Sequence, residues 1–259
     1  MIFGICQNDV RFEDRKFNLL KARVQIDECK KGGAKAVFFP EMSMTGFTMN
    51  VEKVWEDENG PVNTAMSEFA VEFDIFIGYG YVRRDEKGFY NTYVILDNRG
   101  KVISSYDKIH PFSMSDEDKF YQKGDRLSFC YIGDIKIATV ICYDLRFGDL
   151  FSAAAKNGAD AVVVAANFGG ERDNHWKTLV AARAIENQFY TIGANRVGTD
   201  PETFYFGHSM AVAPDGRILG MLDDIEGCLL FEIDKKEVTD WRKKFPALKD
   251  RRPEIYKNL

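Results

Sequence analysis

The chain has 259 residues, of which 45% are hydrophobic and 14% aromatic, so it is long enough to bury one large core. We therefore expect a single domain that spans residues 1–259. The formal net charge of -5 gives no basic surface for nucleic acid or for an anionic membrane, so the composition argues against both and favours a small-molecule partner.

The first residues and the cysteines predict a cytoplasmic protein. The apolar run "MIFGIC" is too short and has the wrong flanks for a secretory signal, and no stretch approaches the roughly 20 apolar residues that cross a bilayer. The five cysteines are scattered, without a CxxC spacing or a histidine-rich cluster, which predicts reduced thiols and no metal site. Four of them are expected to be small buried hydrophobic residues: Cys6, Cys29, Cys130 and Cys228.

Two pairs of segments repeat the same α/β signal. "GAKAVFFPE" (33–41) and "GADAVVVAANF" (158–168) each follow a helical stretch that ends at a glycine, and each runs into a short apolar strand. "VILDNRGKVIS" (94–104) and "VAPDGRILG" (212–220) each indicate two β runs joined by a turn. Either the chain has two related halves whose sheets pack face to face with helices outside, or the likeness is only that of α/β units in general.

The last stretch, "WRKKFPALKDRRPEIYKNL" (241–259), contains two prolines and many charges. Proline cannot continue a helix or a central strand, so we expect an extended arm here and not a core element.

The fifth cysteine, Cys142, ends an apolar run and precedes the polar segment "YDLRFGDL". A free thiol with a pKa of about 8.5 is mostly protonated at neutral pH, so a nucleophilic cysteine needs a base or a nearby positive charge. The usual base is histidine, but none of the three has the sequence context of a cysteine protease, although contact in space stays open: His110, His175 and His208.

Two other charged residues close apolar strands. Glu41 ends "AVFFPE", and Lys108 ends "VISSYDK". If the two halves pack as described, Glu41 and Cys142 lie at the carboxyl ends of parallel strands, on the same rim. A carboxylate in that position can act as the base, and a lysine can supply the positive charge.

Three blocks, "FPEMSMTGF", "YDKIHPF" and "CYDLRF", contain Glu41, Lys108 and Cys142 in that order. Together they resemble the catalytic triad of the nitrilase superfamily, the carbon-nitrogen hydrolases. The likeness continues through "GADAVVVAANF", "HWKTLVAARAIENQFYTIGANRVG" and "SMAVAPDGRIL", so it covers about residues 2–230.

This resemblance implies an α/β fold, a four-layer αββα sandwich of two mixed β-sheets with helices outside. It implies no metal and no organic cofactor. It also implies a homodimer or a higher homo-oligomer, in which subunits pair through the helices near the nucleophile and the arm at 241–259. Family members often have a second glutamate between the lysine and the cysteine, and "SDEDKFYQKG" supplies Glu117, with Gly124 seven residues later.

We hypothesise the following reaction from these residues. Cys142 attacks the carbonyl carbon of a primary amide, Glu41 accepts the thiol proton and passes it to the leaving nitrogen, and a thioester forms as ammonia departs. Lys108 and the backbone N–H of Tyr143 stabilise the oxyanion, and Glu117 holds Lys108 and the substrate in register. Glu41 then activates the water that hydrolyses the thioester.

The local sequence also predicts a substrate class. "HPFSMSDEDKFYQKG", "CYDLRF" and "ARAIENQFY" look closest to the ω-amidase branch, whose members hydrolyse monoamides of short dicarboxylic acids such as 2-oxoglutaramate or succinamate. Such a substrate has a free carboxylate, and Arg146, four residues after the nucleophile, is the first choice to bind it. We also expect Asn167 and several aromatic residues to line the pocket: Phe39, Phe47, Phe112, Tyr143 and Phe168. Asn167 is followed here by Phe168, whereas most relatives have tryptophan at that position.

Several alternatives stay open. The substrate is alternatively a carbamoyl amine, deaminated glutathione or a nitrile, and Arg146 alternatively forms a structural ion pair with Asp144 or Asp149. Arg183 and Glu186 are three apart on a predicted helix, which favours an ion pair there. Two different classes are a non-catalytic interaction protein on the same scaffold and a cysteine–histidine hydrolase that acts on peptides.

Overall fold

The computed structural model describes residues 1–256. Fifteen strands occur in this part of the chain: β1 (Ile2–Gln7), β2 (Ala36–Phe38), β3 (Trp55–Glu56), β4 (Phe76–Asp85), β5 (Gly88–Leu96), β6 (Val102–Asp107), β7 (Phe129–Ile132), β8 (Ile135–Ile141), β9 (Ala161–Ala166), β10 (Tyr190–Asn195), β11 (Val197–Thr199), β12 (Phe204–Phe206), β13 (Met210–Val212), β14 (Ile218–Met221) and β15 (Gly227–Glu232).

The same residues form eight α-helices and four short 3₁₀ segments. The helices are α1 (Arg15–Lys31), α2 (Val51–Val54), α3 (Pro61–Glu72), α4 (Glu117–Phe120), α5 (Gly148–Lys156), α6 (Asp173–Asn187), α7 (Lys235–Lys244) and α8 (Pro253–Tyr256). The 3₁₀ segments are Ser113–Ser115, Cys142–Arg146, Gly170–Arg172 and Ala247–Asp250.

The helix ends follow from local sequence. The Asp14 side chain accepts a hydrogen bond from the Phe17 backbone at the start of α1, and Pro61 occupies the first position of α3, where a missing N–H costs nothing. After α1, Gly33 has a φ of 86°, a left-handed conformation that glycine adopts at little cost. The glycine predicted to end this helix therefore does so.

The two large sheets repeat one topology. The first has the strand order β15-β1-β2-β4-β5-β6, with β3 also paired to β4, and the second has the order β7-β8-β9-β10-β13-β14. Read in these directions, the successive pairings in both sheets are antiparallel, parallel, parallel, antiparallel and antiparallel. Both sheets are therefore mixed, as two related halves would have them, although β15 joins the first sheet from the far end of the chain.

The buried side chains define four layers. Inner-face residues of both sheets share one core: Phe3, Phe38, Tyr93, Ile137, Ile141, Val163 and Ile192. The opposite face of the first sheet packs on α1 and α3, and that of the second packs on α5 and α6. The predicted αββα sandwich is confirmed.

Strand alternation decides the position of one residue expected at the pocket. In β2, Phe38 faces the second sheet, so its neighbours Val37 and Phe39 point to the helices. Phe39 is fully buried in that helix-side core, and its prediction as a pocket wall is wrong.

The predicted extended arm is only partly observed. Residues 241–244 form the last turn of α7, where basic side chains suit the negative end of the helix dipole. Further on, Arg251 donates a hydrogen bond of 2.7 Å to Asn187 Oδ1 on α6. Contact of this arm with another subunit stays a prediction, and residues 257–259 lie outside the described residues. No helix within residues 1–256 has the length and apolar character needed to cross a membrane.

Candidate active site

Four polar side chains follow strands that end on one rim of the sandwich. Glu41 comes three residues after β2, Lys108 directly after β6, Cys142 directly after β8 and Asn167 directly after β9. Glu41 and Asn167 are 126 residues apart in the chain, yet they are hydrogen-bonded, and the charges of Glu41 and Lys108 act on the Cys142 thiol. The structure thus brings together the three residues of the sequence blocks.

The Lys108 ammonium is enclosed by two carboxylates. Lys108 Nζ donates to Glu41 Oε1 at 2.8 Å and to Glu117 Oε2 at 2.8 Å, and all three side chains are almost fully buried. Asn91 Nδ2 donates to Glu41 Oε1 at 2.7 Å and to Glu117 Oε1 at 2.9 Å. Sequence reasoning missed Asn91, although an asparagine inside the apolar strand "FYNTYVIL" was a visible signal.

Burial and charge act in opposite directions on these groups. Burial by itself would raise the pKa of Glu41, but the Lys108 ammonium and hydrogen bonds from Asn167 and Asn91 hold it below its ordinary value. Burial, with help from the Glu41 charge, raises the pKa of Glu117 despite the same ammonium. Burial opposes the Lys108 charge, but Glu117 and Glu41 raise the pKa of Lys108 well above its ordinary value. Lys108 is therefore charged, and Glu41 is the more readily ionised carboxyl group.

Asn167 holds the second oxygen of Glu41. Its backbone N–H donates to Glu41 Oε2 at 2.8 Å, and its Nδ2 donates to the Glu41 carbonyl at 2.7 Å. Asn167 also lines the cavities described below, as expected for a pocket residue, but its amide hydrogens are already bound to Glu41. Gly80 on β4 makes room for this arrangement, since a Cβ there would lie 2.4 Å from the Met42 backbone nitrogen.

Cys142 occupies a sharp turn between β8 and a 3₁₀ segment. Its φ is 46°, which is uncommon for a residue with a side chain and typical of functional turns. The residue is half-buried. Burial, with the charges of Glu41 and Glu117, raises the pKa of the thiol well above its ordinary value, and Lys108 opposes that shift. The resting sulfur is therefore protonated, with an ionised carboxylate close by.

Asp144 joins the cysteine turn to the lysine segment. Its Oδ2 accepts hydrogen bonds from the Ile141 backbone at 3.0 Å and from the Tyr106 hydroxyl at 2.7 Å, and its Oδ1 accepts one from the His110 backbone at 3.0 Å. His110 Nδ1 lies 2.8 Å from the same oxygen. Because Tyr106 and His110 flank Lys108, Asp144 fixes the ammonium relative to the sulfur. Sequence reasoning did not assign this role to Asp144.

The thiol opens into a small cavity that adjoins a larger one. The small cavity has a volume of about 30 Å³ and is lined by Phe112, Cys142, Tyr143, Arg146, Asn167, Phe168, Gly169 and Arg172. The larger one, of about 320 Å³, shares four of these residues and adds Phe47, whose ring lies 5.4 Å from Lys108 Nζ. Four predicted aromatic positions thus line the two cavities: Phe47, Phe112, Tyr143 and Phe168.

Arg146 is a cation that lines the small cavity. Its guanidinium lies 5.4 Å from the centre of the Phe168 ring and 3.2 Å from His175 Nδ1. Within residues 1–256 it forms no ion pair, so the alternative pairing with Asp144 or Asp149 is not observed. The guanidinium is available to an anion in the cavity.

Sequence reasoning missed a second arginine at this site. Arg172 lines both cavities, and its guanidinium stacks 5.3 Å from the Phe112 ring. Arg183, which sequence placed in a helical ion pair, does bind Glu186 at 2.8 Å and also donates to the Leu145 carbonyl, which holds the cysteine turn.

Comparisons with known proteins agree with this geometry. A family model for carbon-nitrogen hydrolases matches residues 3–243. A 2-oxoglutaramate amidase of Bacillus subtilis is 30% identical over 252 residues, which cover 96% of this chain and 97% of that protein. An ω-amidase of Escherichia coli is 32% identical over 220 residues, 84% of each chain. A solved CN-hydrolase superfamily protein of Xanthomonas campestris has a TM-score of 0.92 at 26% identity and covers 97% of both chains.

The chain therefore belongs to the carbon-nitrogen hydrolase family of the nitrilase superfamily, and it is a carbon-nitrogen hydrolase. The resemblance read from the sequence blocks is confirmed.

Replacing Gly80 by alanine should destabilise the protein. The added Cβ would lie 2.4 Å from the Met42 nitrogen and 3.1 Å from the Glu41 carbonyl carbon, and backbone atoms cannot move aside as a flexible side chain can. We expect a loss of about 1–3 kcal/mol in the free energy of unfolding, measured by denaturant titration. Gly227→Ala is the control, because its Cβ meets only Leu222 at 3.9 Å. Equal stability of the two variants would contradict the close approach.

Asp144→Asn should weaken both the fold and the reaction. An amide NH₂ in place of one oxygen would face a hydrogen-bond donor, so we expect a loss of about 1–3 kcal/mol in unfolding free energy and a clear fall in amide hydrolysis. Thermal denaturation and ammonia release measure the two effects. Asp149→Asn, at an exposed carboxylate in the next helix, is the control and should change neither. Wild-type activity in Asp144→Asn would refute the link to Lys108.

Proposed function

We propose that this carbon-nitrogen hydrolase is an ω-amidase, which cleaves a short dicarboxylic acid monoamide such as 2-oxoglutaramate or succinamate to the dicarboxylate and ammonia. The observation that carries the proposal is the Arg146 guanidinium, which lines the same small cavity as Cys142 and is without an ion pair in the described part of the chain. The named activities of the amidases from Bacillus subtilis and Escherichia coli support the same substrate class.

Arg146 has the chemistry that this substrate needs. A guanidinium binds a carboxylate through two parallel hydrogen bonds and stays charged at any relevant pH. Because Arg146 and Cys142 line one cavity of about 30 Å³, the substrate carboxylate and the scissile amide must be separated by a short chain. Phe168 and Phe112 would cover the apolar atoms between them.

In the acylation step, Cys142 Sγ forms a bond to the amide carbon. Glu41 accepts the thiol proton, which the raised pKa of Cys142 leaves on sulfur until attack. The same proton then passes to the amide nitrogen as the C–N bond breaks and ammonia leaves. Glu41 suits this role because Lys108, Asn167 and Asn91 keep it ionised in a site from which water is largely excluded.

In the deacylation step, water replaces ammonia. Glu41, again ionised, accepts a proton from the water as its oxygen bonds to the thioester carbon, and the proton returns to sulfur as the C–S bond breaks. The products are the free thiol and a new carboxylic acid, which releases the second water proton to become the dicarboxylate. One carboxylate therefore serves both half-reactions.

Two donors are proposed to stabilise the oxyanion in each step. Lys108 supplies a positive charge, and the backbone N–H of Tyr143 supplies a dipole. The first N–H groups of a helix have no acceptor within that helix. Tyr143 is the second residue of the 3₁₀ segment Cys142–Arg146, so its N–H is one of these groups. Loss of one oxyanion donor in a comparable site costs about 3 kcal/mol of transition-state stabilisation.

Glu117 is proposed to position Lys108. It binds the ammonium through both oxygens, at 3.1 and 2.8 Å, and accepts a hydrogen bond of 2.6 Å from the Phe112 backbone. Phe112 lines the cavity, so Glu117 couples the ammonium to the pocket wall. Gly124 donates a backbone hydrogen bond of 2.8 Å to the Lys108 carbonyl, and only a glycine fits there, since a Cβ would lie 2.0 Å from the Asp107 carbonyl oxygen.

The pH dependence should separate a glutamate base from a histidine base. The pKa of Glu41 lies below its ordinary value, because Lys108, Asn167 and Asn91 stabilise the ionised form. The base therefore stays ionised through pH 6–8, so kcat/KM for 2-oxoglutaramate should be level there and fall only at pH values below the ordinary pKa of a glutamate. The keto group next to the substrate carboxyl keeps that carboxyl ionised across this range. Steady-state ammonia release from pH 4 to 9 measures the profile.

Substitution of the base provides the matched test. Glu41→Gln should lower kcat by about 10²–10⁴, while Glu202→Gln, at an exposed carboxylate of the larger cavity, should not. An acid limb near pH 6.5 that vanishes when one histidine is replaced would instead identify a cysteine–histidine hydrolase.

Arg146→Ala should remove the preference for a carboxylate. We expect kcat/KM for succinamate and 2-oxoglutaramate to fall by about 10²-fold, in line with the loss of a charge-assisted hydrogen-bond pair, and kcat/KM for a neutral short amide to change little. Ammonia release from a panel with carbamoyl amino acids and nitriles measures the specificity. Arg146→Lys is the control that keeps the charge but loses the bidentate geometry. Equal loss on charged and neutral amides would refute the anchor, and faster turnover of a carbamoyl amine or nitrile would refute the substrate class.

A further inference from the structure

A second group of nucleophilic side chains lies away from the active site. Cys6 Sγ is 3.9 Å from Cys29 Sγ and 4.0 Å from Cys228 Sγ, and the three sulfur atoms all lie within 4.8 Å of one another. None of the three residues lines the Cys142 cavity. We call Cys6, Cys29 and Cys228 the thiol cluster. The sequence predicts three separate buried hydrophobic residues, because nothing in their spacing shows that they meet.

Three separate elements build the thiol cluster. Cys6 on β1 and Cys228 on β15 are register partners in an antiparallel pair, so their side chains lie opposite each other on one face of the sheet. Helix α1 packs on this face and contributes Cys29. Gly4, on the same strand as Cys6, leaves space for it, because a Cβ there would lie 3.0 Å from Cys29 Sγ.

We propose that the thiol cluster is a structural site for one zinc ion. A zinc ion bound about 2.3 Å from each sulfur in tetrahedral geometry keeps its sulfur ligands about 3.8 Å apart. Two of the sulfur separations, 3.9 and 4.0 Å, are already close to that edge length. The ligands thus need only small side-chain rotations to bind the ion.

The donor set and the surroundings favour zinc among the soft cations. Thiolates select zinc and cuprous ions over magnesium or calcium. Three thiolates leave a net charge of -1 with a divalent ion and -2 with a monovalent one, and the larger charge costs more to bury in the helix-side core where Cys6 and Cys29 lie. The fourth zinc ligand would be water or the carboxylate of Glu28, which neighbours Cys29 in the chain and lies beside Cys228.

The site has an entry path from the surface. Cys228 is only half-buried. Its chain neighbour Gly227 lines an open surface groove of about 420 Å³ together with Gln25 and Glu28 of α1. This groove adjoins the Cys228 side of the thiol cluster and is the proposed route by which an ion enters.

Zinc at this position would tie distant parts of the chain together. Cys6 and Cys228 are 222 residues apart, and β15 is the strand that completes the first sheet from the end of the chain. Binding that requires the folded arrangement stabilises the fold by linkage. The zinc would act on stability and not on the amide reaction.

The experiment uses the full chain in a Cys142→Ala background, which removes the active-site thiol as a competing ligand. Reduced, chelator-stripped protein is titrated with Zn²⁺ against a chromophoric chelator, and with Co²⁺ to record thiolate-to-metal absorption. We expect one ion per chain, thiolate charge-transfer bands and a higher melting temperature with Zn²⁺. Cys228→Ser should bind at least 100-fold more weakly, whereas Cys130→Ser, at a buried cysteine outside the thiol cluster, should bind as the parent does.

Three results would overturn the proposal. The first is that the parent does not bind Zn²⁺ saturably, and the second is that Cys228→Ser binds Zn²⁺ as tightly as the parent does. The third is a disulfide among the three cysteines in protein isolated without reductant. Cys228 is chosen because its half-buried position tolerates serine better than the buried positions do. If that variant does not fold, the Co²⁺ spectrum of the parent decides, since absence of thiolate bands refutes the site.

Discussion

The buried Lys108 ammonium between Glu41 and Glu117 is the interaction on which the site depends. Burial of three charges is expensive, and apolar residues of similar volume are often as stabilising or more so. Loss of one partner is worse, because it leaves an uncompensated charge at a cost of about 3–5 kcal/mol. The fold therefore requires all three groups together. The two carboxyl groups are not equivalent, since the pKa of Glu41 is lowered while that of Glu117 is raised, and Glu41 is the one proposed as the base.

The repeated topology explains why this base faces the thiol. β2 and β9 are the middle strands of the three parallel strands in their respective sheets, and Glu41 and Asn167 follow them at equivalent ends. The two sheets pack face to face, so these equivalent positions meet, and the Asn167 backbone N–H binds Glu41 Oε2. The first half of the chain supplies the carboxylate at this point and the second supplies the amide that orients it. Cys142, after the adjacent strand β8, then lies beside both.

What the sequence predicted, and what it did not, follows from the range of each interaction. The apolar runs that end at Glu41, Lys108 and Cys142 are local, and strand ends gather on one rim, so the sandwich and the convergence of these blocks were accessible. Asn91 donates to carboxylates 26 and 50 residues away, and Asp144 accepts from donors 3–38 residues away, so only the folded arrangement of the strands shows which partners they meet. Phe39 was misplaced because alternation in β2 fixes its face only once the direction of Phe38 is known. The cysteine pair on β1 and β15 depends on a strand pairing that spans almost the whole chain.

The charge distribution of the cavity bears on release of the proposed product. Arg146 and Arg172 give the wall near the thiol two cations without ion-pair partners in residues 1–256, while Glu41 and Glu117 place two carboxyl groups around the Lys108 ammonium. The amide that enters beside Glu41 is neutral, so it meets little repulsion. The carboxylate that leaves is negative and stands against an ionised Glu41 at low effective dielectric. In the proposed reaction, hydrolysis would thus convert a neutral group into one that Glu41 repels, which would favour release of the reacting end while Arg146 holds the other end.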